Sequence, residues 1–439
     1  MSNWQKVTLD KLCFFEKGKT GLAKAIPGDY PLVTTSAERK TNDFYQFDTK
    51  AVCIPLVSST GHGHASLNYV HYQEGKFALG TILVALTPKD ETILNAQFLH
   101  LYLSRLKDMI LVPLMSGAAN VSLSISKIKT VEIPLPPIDE QLKIVELFKN
   151  LVNENNELVE EINTQQSLLK QLKQTILQEA IEGKLTAKWR AKNPDIGTAK
   201  ELLDQIKTEK EQLVKDKKIK ASKLLAPINE DEIPFDIPPS WEWCKFGEII
   251  YENPRNGYSP KTVDYKTEIK TLKLGAITQG YFDTTQIKYL DISIEKDSFL
   301  WLKKGDVLIQ RSNSLEHVGM AGIYNLKDTN YIYPDLIMKC QVVQPVINYF
   351  IHKYLVSNFT REYFRNNASG AQQSMPKINQ GTVTNLLVPL PPTEEQKEIV
   401  ATIEKLFTIC DELESEINQN KTTVDNLMAR VLKEAFEQQ

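Results

Sequence analysis

One motif occurs twice in this chain, as Ile133-Pro134-Leu135-Pro136-Pro137-Ile138-Asp139-Glu140-Gln141 and, 255 positions later, as Val388-Pro389-Leu390-Pro391-Pro392-Thr393-Glu394-Glu395-Gln396. The spacing between the two copies then holds without a gap as far as Glu179 and Glu434. Paired prolines can neither continue a sheet nor sit inside a helix, and the acidic residues after them favour the positive end of a helix dipole. Each copy therefore predicts the end of a globular segment and the start of a long helix.

In both helical runs, one row of residues recurs at intervals of alternately four and three positions. This is the heptad pattern of a coiled coil. A helix packed on a globular core would show a wider apolar face. Each run of about 42 residues spans roughly 60 Å at ~1.5 Å per residue. The two rows are Ile144, Phe148, Leu151, Asn155, Leu158, Ile162, Gln165, Leu169, Leu172 and Ile176, and Ile399, Ile403, Leu406, Cys410, Leu413, Ile417, Asn420, Val424, Leu427 and Val431.

The globular segments before the two helices share landmarks as well. We match Trp4-x2-Val7 with Trp241-x2-Cys244, the run 80–84 with the run 305–309, 98–103 with 350–355, and 116–118 with 369–371. The offsets between these pairs differ from one another, so insertions and deletions fall between the landmarks. A shared framework with different loops is typical of two modules that recognise different targets, because loops carry recognition.

The duplication predicts an α+β protein: two similar α/β domains separated by two long helices that form an antiparallel coiled coil, with pseudo-twofold duplication. The antiparallel arrangement is the economical way to return the second globular segment to the far end of the first helix. We place the predicted boundaries at 1–133 for the first globular domain, 134–196 for the central long helix, 197–239 for a charged helix and linker, 240–388 for the second globular domain, and 389–439 for the C-terminal long helix.

Composition excludes several classes of protein. The 439 residues are 42% hydrophobic and 24% charged, which is typical of a protein with hydrophobic cores. The net charge of −3 argues against a surface that is positively charged overall. The five cysteines are dispersed, which favours reduced thiols and a cytoplasmic location. We find no signal peptide at the N-terminus and no apolar run of the roughly 20 residues that a membrane span needs.

A search for chemistry finds no catalytic motif. The proline pairs lack the preceding Asn or Asp of an amine methyltransferase, and neither Gly61-x-Gly63 nor Gly18-Lys19 completes a dinucleotide or phosphate loop. His62 and His64 are the best candidates for a metal, but no third ligand is identifiable, so we expect a solvated or DNA-facing loop. His100 and His352 occupy matching helix positions, which favours a shared structural role. We predict no catalytic residue and no metal site.

These motifs, taken in order, resemble the specificity subunit of type I restriction–modification systems. The resemblance covers essentially the whole chain and depends on the Pro-Leu-Pro-Pro-x2-Glu-Gln-x2-Ile-Val signature at both places, the Trp-x2-Val/Cys openings, and Glu182-Gly183-Lys184-Leu185 after the first long helix. The first half departs from the family in having Gly80-Thr81 where Gly-Asp is usual, which affects no functional residue.

The resemblance implies a DNA sequence-specificity subunit without catalysis of its own. Each globular half, a target-recognition domain, would read one part of a bipartite site in double-stranded DNA. The helices would act as a spacer and would dock two methyltransferase subunits, with restriction and translocase subunits joining through the complex. This chain would need no cofactor, and its partners would use S-adenosylmethionine, ATP and Mg. Two alternatives remain open: a specificity protein of a type IIB-like system, and a coiled-coil adaptor that binds no DNA.

Base reading requires side chains that offer donors in the major groove, chiefly Arg, Lys, Asn and Gln. Loop positions supply the candidates in both halves. In the first half they are Arg39, Lys40, Ser58, Ser59, Thr60, His62, His64 and Asn120, and in the second half Arg255, Asn256, Lys261, Gln310, Arg311, Ser312, Asn313, Gln372 and Gln373.

A polar residue interrupts each heptad row at the same place, Gln165 in one helix and Asn420 in the other. Buried polar groups need partners, and a lone polar residue in a seam often determines the register. We therefore predict that Gln165 lies near Asn420 in the helix pair. The same register brings Leu158 towards Leu427 and Leu172 towards Leu413.

Overall fold

A computed structural model describes residues 4–60, 63–118, 120–222, 224–327, 330–344, 346–370 and 375–437. The chain separates into two compact units, Met1–Thr164 with Ile417–Gln439, and Gln165–Glu416. Each unit combines one globular half with parts of both long helices. The five segments placed from the sequence remain predictions.

The first half contains two four-stranded sheets and a short closing pair. The main sheet has the order β2-β9-β6-β7 and is antiparallel throughout. Its central strand β6 has every residue buried, which suits its continuous apolar sequence. In chain order the elements are β1 Gln5–Thr8, α1 Leu9–Leu12, β2 Cys13–Lys17, β3 Tyr30–Val33, β4 Lys40–Asn42, β5 Phe47–Asp48, β6 Ala51–Pro55, β7 His71–Gln73, β8 Lys76–Leu79, β9 Leu83–Pro88, α2 Ala96–Arg105, α3 Lys107–Ile110, α4 Ile125–Lys129, β10 Glu132–Leu135 and α5 Ile138–Ile181.

The second half repeats this plan. Its main sheet has the order β12-β18-β15-β16, also antiparallel throughout. In chain order the elements are α6 Ala187–Lys192, α7 Ala199–Lys215, β11 Glu242–Lys245, β12 Arg255–Asn256, β13 Ile269–Leu272, α8 Gly275–Thr278, β14 Ile287–Leu290, β15 Val307–Gln310, β16 Ala321–Ile323, β17 Tyr331–Ile332, β18 Ile337–Cys340, α9 Asn348–Leu355, α10 Asn358–Asn366, α11 Gln380–Thr384, β19 Leu387–Leu390 and α12 Thr393–Glu437.

The two halves therefore have one topology. A second sheet in each contains one parallel pair, β3 with β8 and β13 with β17, and an antiparallel pair of terminal strands closes each half, β1 with β10 and β11 with β19. The α+β duplication predicted from the sequence is confirmed.

Strand pairing corrects one of our sequence matches. We matched the run 80–84 with 305–309, but β15 occupies the place of β6, and β9 occupies the place of β18 in the equivalent sheet. Isolated bridges locate the correspondence: Val57 pairs with Ser122, and Ser312 pairs with Lys377, so both partners differ by 255 positions. Both runs are apolar and begin with glycine, and only the neighbours of each strand distinguish them.

The repeated motif joins each globular half to its long helix. Trp4 Nε1 donates to Glu140 Oε2 at 3.2 Å, and Trp241 Nε1 donates to Glu395 Oε2 at 2.9 Å. The following glutamine, buried in both copies, donates to a carbonyl of the proline segment, at 2.8 Å for Gln141 and 2.9 Å for Gln396. The Trp, Glu and Gln of the signature thus act together to join each globular half to its long helix.

Both long helices form as predicted, over 44 residues in α5 and 45 in α12. Gly183 follows α5 with a φ of 70° and caps it, because Lys184 N donates to Glu179 O at 2.9 Å. The charged helix α7 lies within the predicted segment 197–239, begins where Thr198 and Glu201 form a capping box, and ends at Lys215.

The helix segments within Gln165–Glu416 run antiparallel, as predicted. Thr186 and Arg190, which follow α5, bind Glu395 in the first turn of α12. Lys173, earlier in α5, binds Asp411 and Glu414, which lie later in α12, at 2.8 Å each. Residues later in α5 therefore lie beside residues earlier in α12, as in an antiparallel pair.

The heptad row is only half buried. Ile162, Leu169 and Ile176 are between 5 and 8% exposed, and Ile403, Cys410 and Ile417 between 0 and 9%. The four leucines predicted to meet across the seam are instead exposed: Leu158 47%, Leu172 44%, Leu413 41% and Leu427 53%. The two alternating positions of the heptad row are therefore unequally buried over most of each helix. Gln165 and Asn420 belong to different units, and their pairing stays a prediction.

Candidate nucleic-acid interface

Two predicted loops of the second half meet at one edge of its main sheet. The chain leaves β15 at Gln310 and returns as β16, and the intervening loop, residues 311–319, lies against residues 376–378, where Lys377 also forms a bridge with Ser369. Ile378 N donates to Arg311 O at 2.9 Å, and Ser312 Oγ donates to Pro376 O at 3.2 Å. Ends of adjacent strands converge there, because Arg311 N also donates to Leu336 O at 2.8 Å.

Three of the side chains expected to read bases build this loop instead. Gln310 and Ser312 are fully buried. Gln310 Nε2 donates to Leu274 O at 2.8 Å and to Thr278 Oγ1 at 2.7 Å. Asn313 Nδ2 donates to Gln310 Oε1 at 2.8 Å, and its Oδ1 accepts from Ser314 N at 2.8 Å. The end of a buried strand directs such groups inward, so our assignment of Gln310 and Ser312 to the DNA contact was wrong.

Arg311 keeps its side chain available. It is partly exposed, and its guanidinium has no hydrogen-bond partner or carboxylate in the described part of the chain. Its backbone is held on both sides by the bonds to Leu336 and Ile378. A free donor group on a fixed backbone is the arrangement that bidentate reading of a base edge or a phosphate requires.

The side chains predicted to contact DNA on β12 and after it differ in how free they are to do so. Arg255 forms an ion pair with Glu252 at 2.6 Å, and its guanidinium lies 5.1 Å from the centre of the Phe299 ring. Asn256 is half-buried in β12, where its Oδ1 has no hydrogen-bond partner. Lys261 is exposed. Gln372 and Gln373 lie outside the described residues.

In the first half, the loop 58–66 lies against the turn 116–122, which is the equivalent pair. Ser58 N donates to Val121 O at 3.0 Å. Hydroxyl groups brace the loop from within: Ser58 Oγ donates to His64 O at 2.6 Å, and Thr60 Oγ1 lies 2.9 Å from Ser66 Oγ. Ser59 Oγ also accepts from Asn68 N at 2.9 Å. The candidates Ser58, Ser59 and Thr60 therefore all contribute to the shape of the loop.

The exposed candidates of this first loop pair are Ser59, Thr60, His64 and Asn120. His62 lies outside the described residues. Gly63 has a φ of 80°, and a Cβ there would lie 2.8 Å from Ala118 O, so the loop and the turn approach each other closely at that glycine.

Arg39 is committed within its own domain. Its Nε donates to Gln73 Oε1 at 3.0 Å and its Nη2 to Tyr72 O at 3.2 Å, while Nη1 lies 3.2 Å from His71 Nδ1. Burial lowers the pKa of Arg39 from its usual value. Strand β7 thus engages most of the donors of Arg39, and the assignment of Arg39 to base reading stays a prediction. The neighbouring Lys40 is exposed on β4.

The structure adds one cation that sequence reasoning missed. Lys377 is exposed and lies in the bridge with Ser312, beside Arg311. Lys377 stands 255 positions after Ser122, so the period of the repeat could have identified it as a loop position.

The search for other sites was negative within the described residues. No group of three or more His, Cys, Asp or Glu side chains there could hold a metal ion. None of the described helices is long and apolar enough to cross a membrane. The five cysteines are all free and buried.

Comparison with known proteins follows the same two halves. The model of the type I restriction modification DNA specificity domain matches residues 1–166 and 238–420. The EcoEI specificity subunit of Escherichia coli is 31% identical over 59% of this chain and 44% of its own length. The EcoKI specificity subunit of Escherichia coli K12 is 26% identical over 73% of this chain and 61% of its own length. The chain thus spans roughly half the length of these curated relatives.

A solved structure shows the same fold. One chain, from work on complex assembly and conformational transition of the type I restriction–modification system, superimposes with a TM-score of 0.67 at 16% identity, over 99% of this chain and 98% of its own. The duplicated sheets, the signature at both helix starts and the match of the family model over most of the sequence agree. This chain belongs to the family of type I restriction modification DNA specificity domains.

Proposed function

We propose that this chain is the sequence-specificity subunit of a type I restriction–modification complex, in which each globular half reads one part of a bipartite DNA site. One observation carries the proposal: two copies of one sheet present a loop pair at equivalent positions, 255 residues apart, with different side chains on each. A shared scaffold with different loops suits two readers of different sequences.

The chemistry of the second loop pair supports DNA as the ligand. Arg311, which is partly exposed, and Lys377, which is exposed, supply donors at one edge of the sheet, although the net charge of the chain is −3. Local positive charge, rather than the sum over a protein, attracts a phosphate backbone. Arginine is also the side chain most often found on guanine in the major groove.

Methylation and cleavage then belong to partner chains. We infer that two methyltransferase subunits dock on the long helices, and that restriction and translocase subunits join through the complex. In this proposal the partners bring S-adenosylmethionine, ATP and Mg, and this chain carries neither cofactor nor catalytic group. The complex would act in the cytoplasm, where its DNA substrate and reduced cysteines are both expected.

The test is to express the chain with its methyltransferase partners and map the methylated bases of the host by sequencing. A bipartite sequence with an unspecified spacer is the expected result, and purified complex should prefer it over scrambled DNA. Substitution Arg311→Ala should weaken specific binding by about 1–3 kcal/mol and relax one base of the second half-site. Binding that competitor DNA leaves unaffected would show that the chain recognises protein instead.

A further inference from the structure

Helix α10 presents a buried arginine to the loop 311–319. Arg361 is 3% exposed. Its Nη1 donates to Val318 O at 2.7 Å, and its Nη2 donates to Glu316 O at 2.8 Å. One planar guanidinium thus holds two carbonyls, two residues apart, in the part of the loop that returns to β16. A lysine could not reproduce this fork, because its ammonium is a point donor on a flexible stem.

This burial is unfavourable for stability by itself. Within the described residues Arg361 has no carboxylate partner, and its Nε has no acceptor. Taking a charge out of water costs several kcal/mol unless partners compensate, and two carbonyls compensate only in part. Burial lowers the pKa of Arg361 to about 10, so the group remains charged at neutral pH. An apolar residue of similar volume would fill the same place at less cost, so packing does not account for an arginine.

The same helix also determines where the loop ends. Gly319 has a φ of 76°, and a Cβ on it would lie 2.4 Å from the ring of Phe364. Gly319 N donates to Gln310 O at 2.7 Å, which closes the loop at the end of β15. Arg361 and Phe364, three residues apart on α10, therefore hold the returning arm and the last residue of the loop. The tip stays open to solvent, with Ser314, Leu315 and Glu316 all exposed.

The first half braces its equivalent loop differently. There the hydroxyls of Ser58, Thr60 and Ser66 bind one another and the backbone of the loop. The second loop has no such hydroxyl network among its described residues, apart from Ser314 Oγ at 2.8 Å from His317 Nδ1. Arg361 on α10 thus braces the second loop from outside it, whereas hydroxyl groups within the first loop brace that loop.

We propose that Arg361 is a positioning residue of the second reading surface, which holds the loop 311–319 in the shape that presents Arg311 to base edges. This inference rests on the proposed function, because it requires that the loop reads DNA. Arg361 itself is too deeply buried to touch the duplex. Its loss should therefore change which bases are preferred, and not how many phosphates are neutralised.

The test compares Arg361→Met and Arg361→Lys in the complex with methyltransferase partners, and Arg365→Met serves as the control. The control removes the same charge one turn later on α10, from an exposed position. Binding is measured against duplexes changed at one base at a time, at several salt concentrations. Melting temperature is recorded for each variant, so that a loss of fold is recognised.

For Arg361→Met we expect discrimination at the second half-site to fall about tenfold or more, the effect of losing one good base contact. Arg361→Lys should recover part of that loss. Discrimination at the first half-site should be unchanged, and so should the slope of log affinity against log salt, which would fall by about 0.9 for each phosphate contact removed. Arg365→Met should leave base preference as in the wild type. If Arg361→Met is unfolded, Arg361→Lys alone must show a smaller loss of discrimination that is confined to the second half-site.

Unchanged discrimination in a folded Arg361 variant would overturn the proposal, as would an equal loss at both half-sites or a reduced salt slope. Failure of the proposed function is a separate result. In that case the wild-type complex would show no sequence preference, or Arg311→Ala would leave the methylated sequence unaltered.

Discussion

Glu140 and Glu395 occupy the same place in the repeat but have different surroundings. Glu395 is fully buried and accepts from Thr186 Oγ1 at 2.7 Å, Arg190 Nε at 2.9 Å and Trp241 Nε1 at 2.9 Å. Glu140 is partly exposed and accepts from Trp4 at 3.2 Å, with no other donor among the described residues. Identical sequence motifs therefore support junctions of unequal strength.

We expect Glu395→Gln to destabilise the chain by about 3 kcal/mol, because it removes one partner of a buried ion pair and leaves Arg190 uncompensated. The matched Glu140→Gln change should cost about 1 kcal/mol or less, since its site is wetter and has one donor. Chemical denaturation of both variants measures the difference. Equal losses would mean that burial of the second junction contributes nothing.

Buried histidines make stability depend on pH. Burial lowers the pKa of both His71 and His352 to about 4. Between pH 6.5 and 4 the unfolded chain protonates these groups while the folded chain keeps them neutral, so the unfolded state binds more protons. Stability should therefore be full above pH 6.5 and should decrease as the pH falls towards 4.

The expected loss is up to about 3 kcal/mol for each histidine, since one pKa unit corresponds to about 1.4 kcal/mol. Denaturation midpoints at pH 7 and pH 4.5 measure it. In a variant with His71→Gln and His352→Gln, the difference between the two pH values should shrink. A difference of the original size would assign the pH dependence to other groups.

At the scale of elements, fewer residues of the two heptad rows are buried than the pattern predicts. Leu169 and Leu172 are both leucines of the α5 row, yet they are 8% and 44% exposed. Burial, and not membership of the heptad, decides how much each contributes, because free energy follows the apolar area removed from water.

Substitution Leu169→Ala should therefore destabilise the protein by about 2–4 kcal/mol, through lost burial and a residual cavity. Leu172→Ala, the same chemical change three residues later, should cost less than about 1 kcal/mol. Thermal unfolding followed by circular dichroism at 222 nm compares the two. Similar costs would indicate that Leu172 is covered in solution, for example by a partner subunit.

At the scale of the whole molecule, duplication makes each half a separate module. The main sheets have one strand order, while the loops beside them carry different side chains. Exchanging residues 1–133 with those of another family member should change one part of the methylated sequence and leave the other intact.

Methylation sequencing of a host that carries the hybrid and its methyltransferase partner measures this outcome. The reciprocal exchange of residues 240–388 is the matched control and should change the opposite part. A hybrid that altered both parts together would contradict the assignment of one reader to each half.

The sequence by itself determined the duplication, both long helices with their starts, and the family. These features depend on local chemistry: proline pairs, acidic first turns and periodic apolar residues. Each can be recognised within a few turns of chain, so no tertiary contact is needed to identify it.

Only the tertiary structure decided which polar residues are available at the loops. Gln310, Ser312 and Arg39 looked equivalent to Arg311 in sequence, yet strand ends and neighbouring carbonyls engage the first three. The strand match and the buried side of each heptad were likewise undecided, because both depend on which segment lies alongside. Arg361 shows the same limit most clearly: its partners lie more than 40 residues away, and no local pattern predicts a contact that folding alone creates.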